Sequence, residues 1–144
     1  EKIVPFFPQA GKPWTAGVAM PGGDFPVDGV AALKARLAAQ YPFLTARWTD
    51  RMIKAYGLDA FDVLGDAKTE PDMGQNFGSN LTEREVVWLI ENEFVHTAED
   101  VVWRRSKLGL RMTVQEIELL DKWLAARLLT DRSDTQPGLR KGRN

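Results

Sequence analysis

One stretch of the 144-residue chain concentrates charged and aromatic side chains at helical spacing. It contains the bases Arg104, Arg105 and Lys107, together with Asp100 and Trp103. Asp100 and Arg104 are four residues apart with the acid first, which favours an ion pair on one helix face. Trp103 and Lys107 have the same spacing and suit a cation–π contact. We interpret these five residues as a docking or structural ion-pair surface, whose bases reach an anion or a partner chain.

The alternative interpretation of this stretch is a well-built helix with a solvated charged face. Thr97-Ala-Glu-Asp100 matches a capping box, with Asp in place of the usual Glu or Gln. Acids in the first turn and bases in the last turn both suit the helix dipole. Gly109 is placed to end the helix in a left-handed conformation. Spacing alone leaves both interpretations open.

Other groups of polar residues in the chain do not match a known kind of chemical site. His96 is the only histidine and there is no cysteine, which argues against a zinc site. Glu91 and Glu93 are two residues apart and point to different helix faces, which argues against paired-carboxylate catalysis. Three aspartates lack the spacing and central glycine of a calcium loop: Asp59, Asp62 and Asp66. We therefore predict no catalytic, cofactor-binding or metal-binding residue in this chain.

The elements that position these residues are predicted to be helices. Apolar residues spaced three and four apart predict three helices in the first half of the chain, over about residues 28–41, 45–57 and 59–64. Three capping boxes predict three more, opening at Thr82–Glu85, Thr97–Asp100 and Thr113–Glu116. Residues 65–81, rich in Gly, Asn and Asp, predict a long irregular loop. The prediction is a compact all-α accessory domain of about six helices, without a sheet.

The two ends of the chain differ in composition from this helical part. Residues 1–27 hold five of the eight prolines and four of the twelve glycines, which predicts an extended arm. We expect Phe6, Phe7 and Trp14 of this arm to pack on an upstream domain. Residues 130–144 have few aliphatic side chains and several bases, which predicts a disordered basic tail. The helical domain is therefore predicted to span residues 28–129.

Overall charge and hydropathy exclude some function classes. The net charge of −1 gives no bulk attraction to nucleic acid or to anionic lipid. No apolar run approaches the length of about 20 residues that a membrane-spanning helix needs. The chain starts at Glu1 rather than at Met, and we expect it to be part of a longer protein.

Short stretches occur along the chain in an order that resembles a known family. They are Trp14-Thr15, Pro21-Gly-Gly23, Tyr41-Pro-Phe-Leu-Thr45, Ala55-Tyr-Gly57, Asp72-Met-Gly74, Phe77-Gly78, Leu81-Thr-Glu-Arg-Glu85 and Thr97-Ala-Glu-Asp-Val-Val-Trp-Arg-Arg-Ser-Lys-Leu-Gly-Leu110. In this order they resemble the C-terminal domain of FAD-dependent glycerol-3-phosphate dehydrogenase, the aerobic quinone-linked type, and of the related α-glycerophosphate oxidases. The last stretch is the most specific.

This resemblance implies a parent enzyme that oxidises sn-glycerol 3-phosphate to dihydroxyacetone phosphate, passing electrons through FAD to quinone. The family's flavin fingerprint and its substrate-phosphate residues lie upstream of this region, and no Gly-x-Gly-x-x-Gly occurs here. We therefore expect the 144-residue chain alone to bind no FAD and to be inactive. The implied partners are its own upstream FAD and substrate domains, with the membrane surface and a second subunit as further candidates, and no nucleic acid. The implied location is the bacterial cytoplasm, peripheral on the cytoplasmic membrane face.

Two other function classes remain open from the sequence. Leu81-Thr-Glu-Arg-Glu-Val-Val-Trp-Leu-Ile90 also resembles the opening of a LuxR-type helix-turn-helix DNA-binding module. The next residues, Glu91-Asn-Glu-Phe94, are acidic and lack the glycine turn of that module. A free-standing helical interaction domain is the third possibility. The terminal electron acceptor, quinone or oxygen, and the oligomeric state are also left open.

Overall fold

A computed structural model describes residues 4–7, 9, 11 and 15–134, and over these residues the chain is mainly helical. The α-helices are α1 (Val30–Gln40), α2 (Ala46–Tyr56), α3 (Ala60–Leu64), α4 (Glu83–Glu93) and α5 (Val114–Asp134). Short 3-10 turns lie at Val4–Phe6, Gly57–Asp59, Glu70–Met73 and Leu108–Leu110. Two short strands, β1 (Asn76–Gly78) and β2 (Leu81–Thr82), form a hairpin. The predicted all-α class is confirmed.

The first three helices form one half of the core. Thr45 caps α2 as predicted, because its Oγ1 accepts a hydrogen bond from the Trp48 amide at 3.2 Å. Asp59 does not cap α3 with its side chain, since a 3-10 turn leads directly into that helix. Leu37 and Met52 are fully buried where α1 packs on α2. These apolar contacts are what the three-and-four spacing predicts.

The second half of the core combines the hairpin, α4 and α5. Its buried side chains include Leu89 of α4 and Leu120 and Leu124 of α5. Tyr56 and Trp88 pack against both halves, with their ring centroids 5.3 Å apart in an edge-to-face arrangement. This aromatic pair therefore joins the two halves into one hydrophobic interior.

The hairpin corrects the prediction that the domain has no sheet. β1 pairs antiparallel with β2, with Asn76 opposite Thr82. Ser79 and Asn80 between the strands have φ values of 50° and 63°, the left-handed conformation of a tight hairpin turn. Residues 65–81 were predicted to be irregular because their composition is typical of loops, and a strand pair this short leaves no alternating pattern to detect.

The helix predicted after Thr97 is a π-helical segment, so the α-helices number one fewer than expected among the described residues. We call Asp100–Arg105 the π segment. The Ser106 amide donates to the Val101 carbonyl oxygen at 3.0 Å, a bond to the residue five positions earlier. Lys107, with φ 58°, takes the left-handed conformation that was predicted for Gly109.

Two glycines join the end of the N-terminal arm to α2. The Leu58 amide donates to the Gly22 carbonyl oxygen at 2.8 Å. A Cβ atom on Gly22 would lie 2.1 Å from the Tyr56 carbonyl oxygen, and one on Gly57 would lie 2.1 Å from the Gly22 carbonyl oxygen. Both glycines have positive φ, so only glycine fits this close approach without strain. The resembling stretches around positions 22 and 57 therefore contact each other.

The remaining parts of the arm and tail are only partly described. Phe6 is 77% exposed and Phe7 is 51% exposed, which leaves both rings free of the helical core, while Trp14 lies outside the described residues. Helix α5 continues to Asp134, so residues 130–134, which were predicted to belong to the disordered tail, are helical, and residues 135–144 lie outside the described residues. Buried leucines in the middle of α5 anchor a helix that then propagates at little cost. No helix in the described part of the chain is long and apolar enough to cross a membrane.

Candidate functional site

The capping box that opens the π segment is confirmed. An Asp100 carboxylate oxygen accepts the Thr97 amide at 3.0 Å and the His96 amide at 3.1 Å. The Thr97 hydroxyl oxygen in turn accepts the Asp100 amide at 3.2 Å. The predicted ion pair between Asp100 and Arg104 is also present, and Arg104 lies 3.6 Å from a second carboxylate, that of Glu99. Partial desolvation raises the pKa of Asp100, but hydrogen bonds from Arg104, Thr97 and His96 outweigh it and hold the pKa well below its usual range.

The two other predicted bases also find partners within the domain. Arg105 pairs with Glu93 of α4 at 2.9 Å. The Lys107 ammonium donates to the Trp103 carbonyl oxygen, so the predicted cation–π contact with the Trp103 ring is replaced by a bond to its backbone. Of the five predicted surface residues, the structure thus joins Asp100 to Arg104 and Lys107 to Trp103.

Trp103 presents its ring at the surface. The side chain is 39% exposed, and the ring packs on Gly109, where a Cβ atom would lie 2.6 Å from the indole. This contact explains why position 109 is glycine although its φ is not positive. Trp103 also lines an apolar groove of about 390 Å³ together with Val114 and Ile117.

The capping box predicted at Thr82–Glu85 does not form. The Glu85 side chain is fully buried and accepts two Arg51 N–H groups, one on each carboxylate oxygen, at 2.6 Å. The Tyr56 hydroxyl donates to the same carboxylate at 2.6 Å. The Thr82 hydroxyl is buried and makes no hydrogen bond to the described residues. The Glu85 side chain points into the core because Arg51 on α2 lies opposite it. This ion pair forms in place of the local helix cap.

Sequence reasoning missed this Arg51–Tyr56–Glu85 cluster, which we call the buried triad. Burial lowers the pKa of Arg51, but the Glu85 carboxylate outweighs that effect and raises it. Burial and then Glu85 raise the pKa of Tyr56. At neutral pH the guanidinium is therefore charged and the phenol is protonated, which suits a structural cluster rather than proton transfer. The available signal was weak: Arg51 lies three residues after the buried Trp48 on the same helix.

A basic cleft lies between α2, the hairpin turn and the π segment. It has a volume of about 540 Å³. The charged side chains that line it are Arg47, Asp50, Arg51, Lys54, Arg104, Arg105, Lys107 and Arg111. Seven of these eight side chains are basic, so the cleft can attract an anion. The sequence indicated only Arg104, Arg105 and Lys107, because the α2 bases and Arg111 join them through the fold.

The polar residues considered above for metal or acid–base chemistry all lie in the described part of the chain. Over residues 4–7, 9, 11 and 15–134, no group of three or more His, Asp and Glu side chains could hold a metal ion. His96 is exposed beside the π segment, and Glu91 is exposed on α4.

Fold and site together define a small helical domain with a buried ion-pair cluster and a basic cleft. The family model described as the C-terminal domain of alpha-glycerophosphate oxidase matches residues 14–130. The chain therefore belongs to this family of C-terminal domains. The match extends through the segment that resembled a helix-turn-helix opening and favours the oxidase resemblance over it.

Curated relatives agree with this assignment. The chain is 34% identical over 124 residues to the aerobic glycerol-3-phosphate dehydrogenase of Escherichia coli (strain K12), covering 86% of this chain and 25% of the relative. It is 36% identical over 123 residues to the glycerol-3-phosphate dehydrogenase of Pseudomonas aeruginosa, covering 85% and 24%. It is 31% identical over 117 residues to the D-erythritol 1-phosphate dehydrogenase of Brucella abortus, covering 81% and 23%. The chain thus spans about a quarter of the length of these relatives.

Proposed function

We propose that this chain is the C-terminal helical domain of a flavoprotein that oxidises sn-glycerol 3-phosphate to dihydroxyacetone phosphate. The family match over residues 14–130 carries the proposal, and it is supported by relatives named as glycerol-3-phosphate dehydrogenases. In the parent enzyme, FAD takes up the electrons and passes them to quinone. We place that enzyme in the bacterial cytoplasm, peripheral on the cytoplasmic face of the membrane.

FAD does not fit the residues of this chain. A dinucleotide site of the usual kind needs a glycine-rich turn between a parallel strand and a helix. The described residues offer one antiparallel hairpin, and the sequence has no Gly-x-Gly-x-x-Gly. We therefore assign flavin binding and the oxidation step to other domains of the parent enzyme.

The role that we propose for this domain is structural: it docks on the upstream FAD and substrate domains. The charged members of the predicted surface make ion pairs or hydrogen bonds inside the domain. Trp103 remains partly exposed beside its apolar groove, and an aromatic side chain in such a position is typical of an interface anchor. Contact with the membrane or with a second subunit is a further proposal for the parent enzyme.

The activity is tested with the complete gene product that contains this chain. We expect that product to carry a flavin spectrum and to reduce an electron-accepting dye with sn-glycerol 3-phosphate, and we expect the 144-residue chain alone to do neither. D-erythritol 1-phosphate is the substrate to compare, because one relative is named for it. A flavin spectrum from the chain alone, or a complete product without either activity, would contradict the proposal.

The docking role is tested by Trp103→Ala in the complete product. Flavin retention is expected to fall relative to Leu129→Ala, a matched change at another exposed apolar residue of the domain. Equal retention in the two variants would argue against Trp103 as an anchor.

A further inference from the structure

The basic cleft carries positive charge that the domain does not neutralise. The side chains of Arg47 and Arg111 line it and have no ion-pair or hydrogen-bond partner among the residues that the structure describes. Lys107 bonds only a backbone carbonyl oxygen and, within the same part of the chain, has no carboxylate partner. Three uncompensated cations therefore share one cavity, in a chain whose net charge is −1. Such a concave cluster focuses the field and raises the local concentration of anions.

Two other cations in the cleft, Arg51 and Arg105, are held in fixed positions by acids that do not line it, whereas Lys54 pairs with Asp50, which does. Arg51 makes an ion pair with Glu85, and Arg105 makes one with Glu93. A carboxylate occupies only part of the donor set of a guanidinium, so each arginine keeps further N–H groups. The Nε atom of Arg51 is buried and has no acceptor among the described residues. A buried donor of this kind costs free energy.

The size and shape of the cleft indicate which anion would fit. Its volume of about 540 Å³ lies within the range of small-molecule sites. Its walls come from α2, the hairpin turn, the π segment and the residues that follow it up to Arg111, and this concave shape suits a soluble molecule better than a flat bilayer surface. A phosphate monoester carries a charge of about −1.5 to −2 and three acceptor oxygens. Those oxygens match the fork of donors on arginine.

We propose that the basic cleft of this domain binds a soluble phosphate monoester. The cations without a carboxylate partner, Arg47, Lys107 and Arg111, would neutralise its charge, while the paired arginines would orient its oxygens. The proposal does not depend on the proposed function, because it concerns only side chains of this chain. If the chain binds phosphate but the parent protein does not oxidise glycerol 3-phosphate, the proposed function fails and this proposal stands.

The test is a calorimetric titration of the 144-residue chain at fixed ionic strength. The probes are glycerol 3-phosphate, inorganic phosphate and, as the uncharged control, glycerol. We expect saturable binding of one glycerol 3-phosphate per chain and no binding of glycerol. In a ¹H–¹⁵N spectrum, the Arg51 Nε–H resonance is expected to shift during the same titration.

Two double variants show whether the cleft is responsible. Arg47→Gln with Arg111→Gln removes two unpaired cations of the cleft and is expected to weaken binding at least about tenfold. Lys68→Gln with Lys122→Gln removes the same charge from exposed positions outside the cleft and is expected to leave the affinity within about twofold. Circular dichroism melts of both variants check that they remain folded.

Several outcomes would overturn the proposal. They are the absence of saturable binding, equal binding of glycerol, or equal weakening by both double variants. A binding measurement with phosphatidylglycerol vesicles tests whether the cleft binds a lipid phosphate group instead of a soluble one. Association with phosphatidylglycerol vesicles but not with the soluble monoester would also overturn it.

Discussion

Two carboxylate–arginine contacts in this domain use the same chemistry in opposite surroundings. The Arg51–Glu85 pair is buried, with side-chain exposures of 15% and 1%, and it joins α2 to α4 across 34 residues of chain. The Asp100–Arg104 pair joins residues four apart, and the arginine is 61% exposed. The first connects distant elements, whereas the second completes a helix start. The comparison indicates that burial, rather than the kind of contact, decides how much stability is lost when one partner of a pair is removed.

Burial makes the two pairs unequal because water cannot replace a lost partner in the core. Removing Glu85 would leave a guanidinium with little access to solvent. Removing Asp100 would release an arginine that water already reaches. The free energy of unfolding is therefore expected to respond strongly to the first change and weakly to the second. The following variants test this ranking, from the largest expected effect to the smallest.

Glu85→Gln is expected to have the largest effect. It removes the charge that balances Arg51 and keeps the shape of the side chain, so the free energy of unfolding should fall by about 3–5 kcal/mol. Urea denaturation followed by circular dichroism measures the change. Glu91→Gln, at an exposed acid on the same helix, is the matched control and is expected to change stability by less than about 0.5 kcal/mol.

A second variant shows whether the cost comes from the unpaired charge. Arg51→Met combined with Glu85→Gln removes both charges and is expected to recover much of the stability lost in Glu85→Gln alone. If the double variant is less stable than the single variant, the unpaired guanidinium is not the cause.

Tyr56→Phe is expected to have the next largest effect. It deletes the hydroxyl that donates to Glu85 at 2.6 Å and leaves the arginine pair and the ring contact with Trp88 in place. A hydrogen bond to a charged group contributes about 1.5–3 kcal/mol, so the loss should lie in that range. The midpoint of urea denaturation measures it. Tyr41→Phe, which removes a hydroxyl bonded to the neutral Gly65 carbonyl oxygen, should cost less.

Asp100→Asn tests the more exposed ion pair and how the contribution of Asp100 to stability depends on pH. Asn keeps an acceptor oxygen for the capping box but loses the charge that pairs with Arg104, so the variant should cost up to about 1 kcal/mol at neutral pH. Because folding lowers the pKa of Asp100, its contribution is fully present above the unfolded pKa of about 3.9 and is lost as pH falls through the lower folded pKa. The stability difference between wild type and variant should therefore shrink below about pH 4 in thermal melts. A difference that stays constant down to pH 2 would contradict this assignment.

The same contrast explains how much of the structure the sequence could predict. The Thr97 and Thr113 capping boxes and the Asp100–Arg104 pair depend on residues three or four apart, and all three are confirmed. The Thr82 box had the same local pattern, but its glutamate, Glu85, pairs instead with Arg51 on another helix. Local spacing contains no information about that competition. The basic cleft escaped prediction for the same reason, since its α2 side chains meet the π segment only in the folded domain.

The π segment shows a second limit of local patterns. Its caps and its apolar residues suit an α-helix equally well, so the spacing could not distinguish the two forms. The distinguishing contacts are those of Ser106, whose hydroxyl donates to the Val101 carbonyl oxygen at 2.7 Å beside the bond from its own amide. Two donors on one carbonyl oxygen stabilise the wider turn, and Lys107 then ends it in a left-handed conformation. A side-chain hydrogen bond of this kind is a weak feature of the sequence.

Arg105→Gln is expected to have the smallest effect on stability. Its partner is Glu93 at 2.9 Å, and their side chains are 42% and 36% exposed, so water competes for both charges. Exposed pairs contribute about 0–1 kcal/mol, and added salt should reduce the difference between wild type and variant further. Paired urea titrations at low and high salt measure it. The Arg105–Glu93 pair connects two elements, the π segment and α4, just as the buried triad connects α2 to α4. If the connection of separate elements determined the contribution, the two contacts would have similar effects, whereas burial predicts a much smaller effect for Arg105. If Arg105→Gln costs as much as Tyr56→Phe, then the span of a contact, rather than its burial, sets its contribution in this domain.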